Sequence, residues 1–140
     1  MANVILVAHG RLAVEMKHSL EMIFGTVDRF YPVAFDQQDG LESLEEKLSN
    51  VLNQTTGETL ILADLFCGTP YNASCSLAMK EPKKNIQVLS GMSLPLVLEI
   101  ASLIETLPIN EIVCIVKKMA EETVQSFSGK IEEEEEEEDF

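Results

Sequence analysis

Residues 4–8 read Val-Ile-Leu-Val-Ala and run without a break into His9-Gly10. A short, unbroken apolar run of this kind suits a strand covered on both faces, which is how the strands of a parallel sheet are placed. The rest of the chain repeats the demand. After Gly10, apolar residues recur at Leu12, Ala13, Met16, Leu20, Ile23 and Phe24, a helical spacing closed by Gly25. A strand around Tyr31–Phe35 leads into the turn residues Gln37-Gln38-Asp39-Gly40. Leu41, Leu44, Leu48, Val51 and Leu52 then mark an amphipathic helix that ends near Gly57. The same reading predicts a strand over Thr59–Ala63, a helix over Pro70–Lys80, a strand over Ile86–Leu89 and a helix over Pro95–Glu105. A fifth apolar run, Ile112–Val116, precedes a final helix to about Phe127. Strands alternating with helices imply right-handed crossovers. The expected fold class is α/β: a doubly wound, mostly parallel central sheet with helices on both faces. In such sheets ligands sit beyond the carboxyl ends of the strands, where the strand order reverses.

Length and charge narrow the possibilities. With 140 residues, 46% of them hydrophobic, the chain is expected to make one globular domain over residues 1–128. Residues 129–140 read as an acidic, solvated tail. Glu132 to Asp139 supplies eight of the formal net charge of −14, leaving −6 on the rest. That balance argues against a nucleic-acid partner, which would want a basic face. No run approaches the ~18 apolar residues of a membrane span, so no direct membrane insertion is expected. The N-terminus carries no secretory pattern. Cys67, Cys75 and Cys114 are odd in number and lack Cys-x-x-Cys spacing, which suits free thiols in a cytoplasmic protein.

Chemistry is therefore sought just after each strand. The first strand delivers His9, with Gly10 behind it removing side-chain bulk so that a second molecule can approach the ring. Imidazole can act as a covalent nucleophile through its neutral nitrogen; a merely hydrogen-bonding or capping histidine is the alternative. The third strand delivers Asp64-Leu65-Phe66-Cys67-Gly68-Thr69-Pro70. With strands one and three adjacent, Asp64 would lie beside His9, fix its tautomer and stabilise positive charge developing on the ring. Asp64 could instead cap the next helix, but Thr69 is the better candidate, with Pro70 then at the first helical position. The amides around Cys67, Gly68 and Thr69, at a helix start, would favour an anion. The fourth strand delivers Ser90-Gly91-Met92-Ser93-Leu94-Pro95. Met92 and Leu94, if exposed, would suit a docking surface. His18 sits among polar helical neighbours and reads as solvent-facing. No metal-ligand spacing is present, and no cofactor is expected.

Strand–His9-Gly10, strand–Asp64-x-x-x-Gly68-Thr69-Pro70 and the later Gly91-x-x-Leu94-Pro95, in that order, resemble one family over residues 3 to 127. It is the IIA component of the mannose/fructose/sorbose branch of the bacterial sugar phosphotransferase system. The resemblance implies a phosphohistidine carrier. Such a carrier accepts a phosphoryl group from the phosphorylated histidine of the small protein HPr and passes it to a IIB component, which phosphorylates the incoming sugar. His9 matches the phosphorylated histidine, on its nitrogen facing away from the carboxylate, and Asp64 matches the orienting carboxylate. Phe66 matches an aromatic position near the docking face, while Gly10, Cys67, Gly68 and Thr69 are the candidate phosphate-binding residues on the helix-start argument above. The family is homodimeric, often exchanging an antiparallel edge strand between subunits, and Ile112–Val116 is the candidate for that strand. Two positions depart from the pattern: Cys67 stands where a second glycine is common, and Ser93 where asparagine is. The acidic tail matches nothing in it.

Three rivals remain open at this stage. A related subunit feeds a dihydroxyacetone kinase from a similar domain and histidine. A hydrolase could use Cys67 at a helix start with His9 as base. A non-catalytic binder could merely sense phosphorylation. A receiver domain fits poorly: it accepts phosphate on Asp, and no acidic pair follows the first strand.

Overall fold

The computed structural model describes residues 1–131. The strands are β1 (Asn3–His9), β2 (Phe30–Phe35), β3 (Thr59–Ala63) and β4 (Ile86–Leu89). The helices are α1 (Leu12–Phe24), α2 (Leu41–Asn53), α3 (Thr69–Lys80), α4 (Leu94–Leu103) and α5 (Ile109–Met119), with short 3₁₀ turns at Pro82–Lys84 and Ala120–Thr123. The sheet order is β2-β1-β3-β4 and every pairing is parallel. The chain steps outward from β1 to β2, then crosses back over β1 to β3. Right-handed crossovers in opposite directions must use opposite faces of the sheet.

The core obeys that geometry. Val4, Leu6 and Ala8 of β1, with Leu60 and Leu62 of β3, pack beneath α1, α4 and α5. Ile5, Val7, Ile61, Ala63 and Val33 face the other way, against Leu44, Leu48 and Leu52 of α2 and Ala73 and Leu77 of α3. The apolar run at 4–8 thus contributes to both layers, and every one of its residues is fully buried. Full burial stabilises by about 1.5–3 kcal/mol for each large aliphatic side chain.

Three expectations need correction. Ile112–Val116 is not an edge strand; it lies inside α5. Ile109, Ile112 and Val116 are buried with Val113 half-buried beside them, which is an i, i+3, i+4, i+7 stripe, so one face suffices and a helix results. The Glu58 carboxylate accepts the Ile109 N–H at 3.2 Å, closing an otherwise open donor at the helix start. No antiparallel strand joins the sheet among the described residues. The final helix also stops short of Phe127: α5 ends at Met119, the 3₁₀ turn ends at Thr123, and residues 124–131 are irregular. In α1, only Ala13 and Leu20 are buried, while Leu12, Ile23 and Phe24 are exposed. Of the expected tail, residues 129–131 are exposed and Glu132–Asp139 lies outside the described residues.

Candidate functional site

β1 is longer than β3 and ends beyond it. The register pairs Val7 with Ala63, so the residue after Ala63 comes level with the exit of β1. Asp64 is that residue. Its Oδ2 accepts the His9 backbone N–H at 3.1 Å and meets ring Nδ1 at 2.9 Å. The ring is half exposed, whereas the Asp64 side chain is only 11% exposed. A charge-assisted bond of this kind contributes about 1.5–3 kcal/mol, more firmly where one partner is shielded from water. In the neutral ring it places the proton on Nδ1 and leaves the Nε2 lone pair free. Asp64 Oδ1 is buried and has no partner. Asp64 is therefore not a helix cap: both of its contacts are with His9.

The loop after Asp64 explains the glycine-like character of position 67. Gly68 N–H donates to Leu65 O at 3.1 Å, closing a four-residue turn. Its third residue, Cys67, has φ 65°. A turn with positive φ at that place favours glycine. Cys67 occupies the left-handed region at a cost of about 1–2 kcal/mol. The Asn72 side chain donates to Cys67 O at 3.2 Å and helps hold it there. Gly68, not Thr69, is the N-cap of α3, with Thr69 first and buried Pro70 second. No side chain caps the helix, so its first amides are open to an outside anion. A Cβ at Gly68 would stand 3.5 Å from His9 Cε1, which shows how closely this backbone passes the ring. Gly10 has φ 59° with open space around it.

The rim beside the histidine is apolar and exposed. Leu65 and Phe66 are exposed, and Phe66 meets Tyr71 edge-on at 5.2 Å between ring centroids. Burial raises the Tyr71 hydroxyl pKa above its ordinary value, with Cys75 and then Cys67 adding to the shift. Met92 and Leu94 are less exposed than this rim. Both are half-buried and pack on the core, because the Met92 N–H donates to Ala63 O at 3.1 Å and draws the β4 exit inward. His18 is exposed, 3.6 Å from the equally open Glu15.

On the β2 side the structure adds residues that the sequence reading passed over. His9 and Phe35 are register partners, and their rings meet edge-on at 5.3 Å and 84°. The loop that follows is tied down by Lys47 of α2. Its Nζ donates to Ala34 O at 3.0 Å, Asp36 at 3.3 Å and Asp39 at 2.6 Å. The Lys47 bond first, then the Asp36 backbone N–H and the Ser43 hydroxyl, hold the Asp39 carboxyl at about 2. Asp39 in turn raises the Lys47 ammonium above the ordinary lysine range. A depression of about 370 Å³ beside the ring is lined by His9, Gly10, Phe35, Asp36 and Gln37. Parallel register, which places the last residues of β1 and β2 side by side, was the available signal for Phe35.

The family model described as the PTS system fructose IIA component, EIIA-man, matches residues 3–117. The chain belongs to that family. This IIA chain is 40% identical over 139 residues to the sorbose-specific EIIA component of Lacticaseibacillus casei, covering 99% of each. It is 33% identical to the fructose-specific EIIA component of Bacillus subtilis (strain 168), covering 94% of this chain and 90% of the relative. Among solved structures, the mannose/sorbose-specific IIA subunit from Enterococcus faecalis superposes with a TM-score of 0.82 at 27% identity, covering 94% and 98% of the two chains. The chain is thus a component of the sugar phosphotransferase system, and phosphotransfer in sugar uptake is its general role. Among the described residues, no helix is long and apolar enough to cross a membrane, and no group of three or more His, Cys, Asp or Glu is placed to hold a metal ion.

Proposed function

We propose that this IIA component carries a phosphoryl group on His9 Nε2, taking it from phospho-HPr and passing it to a IIB component in the cytoplasm. The observation that carries the reading is the 2.9 Å contact between Nδ1 and a largely buried carboxylate. In the first transfer, the Nε2 lone pair attacks phosphorus and the P–N bond to the HPr imidazole breaks, its electron pair returning to that ring. The proton stays on Nδ1 throughout, and Asp64 stabilises the cationic ring that forms. Phosphoryl transfer runs through a loose transition state, so positioning and charge stabilisation are the main demands on the protein. The open amides of Gly68 and Thr69, with the Thr69 hydroxyl, would receive the phosphoryl oxygens. Gly10 leaves room for the donor, and Cys67 would contribute its backbone rather than its thiol. The second transfer is the reverse attack by the IIB nucleophile.

Docking falls to Leu65 and Phe66, whose exposure beside the ring suits a protein partner that must expel water from the transfer site. Relatives named as sorbose-specific and fructose-specific EIIA components favour a IIB acceptor over a dihydroxyacetone kinase subunit. The sugar itself meets only downstream components, so this chain's residues carry no sugar code. Homodimerisation forms part of the same reading: among the described residues β2 pairs only with β1 and β4 only with β3, so each edge of the sheet is open to a second copy.

Incubation with phosphoenolpyruvate, enzyme I and HPr tests the proposal. His9→Ala should take up no label and His18→Ala should label like wild type; equal labelling of the two variants would defeat it. Cys67→Ser should also label normally, which a thiol-dependent hydrolase would not predict.

A further inference from the structure

We infer that Phe35 is a positioning residue for phosphoryl transfer, pressing the His9 ring toward Asp64, and that Lys47 holds Phe35 in place. The inference rests on His9 being the phosphorylated residue. Asp64 grips the ring at a single nitrogen, and one hydrogen bond leaves an imidazole free to tilt about that point. The ring is half exposed, so the core does not supply the missing restraint. Phe35 does. It leaves the sheet on the same face as His9, since the two are register partners in parallel strands. It meets the ring edge-on at 5.3 Å, a favoured aromatic arrangement. The Gly10 N–H donates to Phe35 O at 2.9 Å, so the backbone leaving β1 is tied to the end of β2 as well. The ring of Phe35 is itself anchored on the core layer beneath α2 and α3.

Lys47 completes the arrangement from α2. Its three acceptors, Ala34 O, Asp36 and Asp39, bracket Phe35 in sequence. A lysine that bonds to the residues on both sides of Phe35 restrains the backbone of that residue. Nε2 is thereby aimed by two strands, through a carboxylate on one side and a ring edge on the other.

The test compares Phe35→Leu, Phe35→Tyr and Lys47→Met in full-length protein with phospho-HPr as donor. Wild type must label first; failure at that step would reject the carrier role itself, separately from this inference. Phe35→Leu should then lower kcat roughly three- to tenfold at unchanged KM. Phe35→Tyr, which keeps the ring edge, should stay within about twofold of wild type, and Lys47→Met should fall between. NMR order parameters of the His9 ring should drop in Phe35→Leu and hold in Phe35→Tyr. Wild-type kcat in Phe35→Leu, a loss confined to KM, or an equal loss in Phe35→Tyr overturns the role of Phe35. Wild-type kcat in Lys47→Met overturns the latch. If Phe35→Leu does not fold, Phe35→Met, apolar and adaptable but without a ring edge, takes its place and is read by the same outcomes.

Discussion

The two loops that flank His9 are built on opposite plans. The loop leaving β3, Asp64 to Gly68, spends its carboxylate on the histidine, leaves Leu65 and Phe66 exposed, and holds Cys67 at φ 65°. The loop leaving β2, Asp36 to Gly40, spends its carboxylates on the fold, bound to Lys47 and Ser43 of α2 and to the Asp36 N–H. Polar groups satisfied within a loop make it rigid but leave them nothing to offer a ligand. Apolar groups left in water, and a backbone under strain, mark the loop that meets a partner. On the proposed reading, one side of the histidine serves chemistry and docking, and the other holds it still.

The comparison breaks most readily at Asp64. Asp64→Asn should slow phosphoryl transfer on the order of 10²-fold or more. Either amide orientation is costly. With its oxygen toward His9, the amide puts two donors at the buried position where Oδ1 has no partner; with its nitrogen toward His9, it demands the wrong ring tautomer. Stopped-flow transfer from phospho-HPr measures the rate, and an unchanged value would remove Asp64 from the mechanism. Cys67→Gly sharpens the same contrast through stability. Relief of the left-handed backbone, less the added chain entropy, should stabilise by about 0.5–1 kcal/mol. That corresponds to about 2–4 °C in thermal midpoint. A lower midpoint would show that Cys67 is not strained.

Much of this was legible in the chain, and the limits have physical causes. The β1 run and the residue following each strand located His9 and Asp64, because a parallel sheet brings its carboxyl ends to one edge. The order β2-β1-β3-β4 then follows from one reversal. Ile112–Val116 misled, since five apolar residues in a row suit a strand or a helix equally. Only Ile109, upstream of the run, reveals the helical stripe. The exposure of Met92 and Leu94 stayed open because no local pattern shows the bond from Met92 N–H to Ala63 O. Lys47 was invisible for a related reason. It lies eleven residues from Asp36 and eight from Asp39, and its role exists only once α2 is folded back over β2.

The smallest expected effect tests the rigid side. Asp39 is held at about 2, below the ordinary 3.8, chiefly by Lys47. A carboxyl lowered by folding contributes stability above its unfolded pKa and loses it as pH falls through the folded value. The window is therefore pH 4 to 2: above it the full contribution is present, and below it Asp39 is protonated in both states. The thermal midpoint of wild type should exceed that of Asp39→Asn by a constant margin from pH 7 down to about 4 and approach it near pH 2. At the alkaline end the sign reverses. Lys47 is raised, so its contribution is complete below the ordinary lysine value and fades only as pH climbs past it. A margin between wild type and Asp39→Asn that persists undiminished to pH 2 would mean the carboxylate does not hold the β2 loop through its charge. The loop's rigidity would then rest on the Lys47 bonds to Ala34 O and Asp36 and on packing.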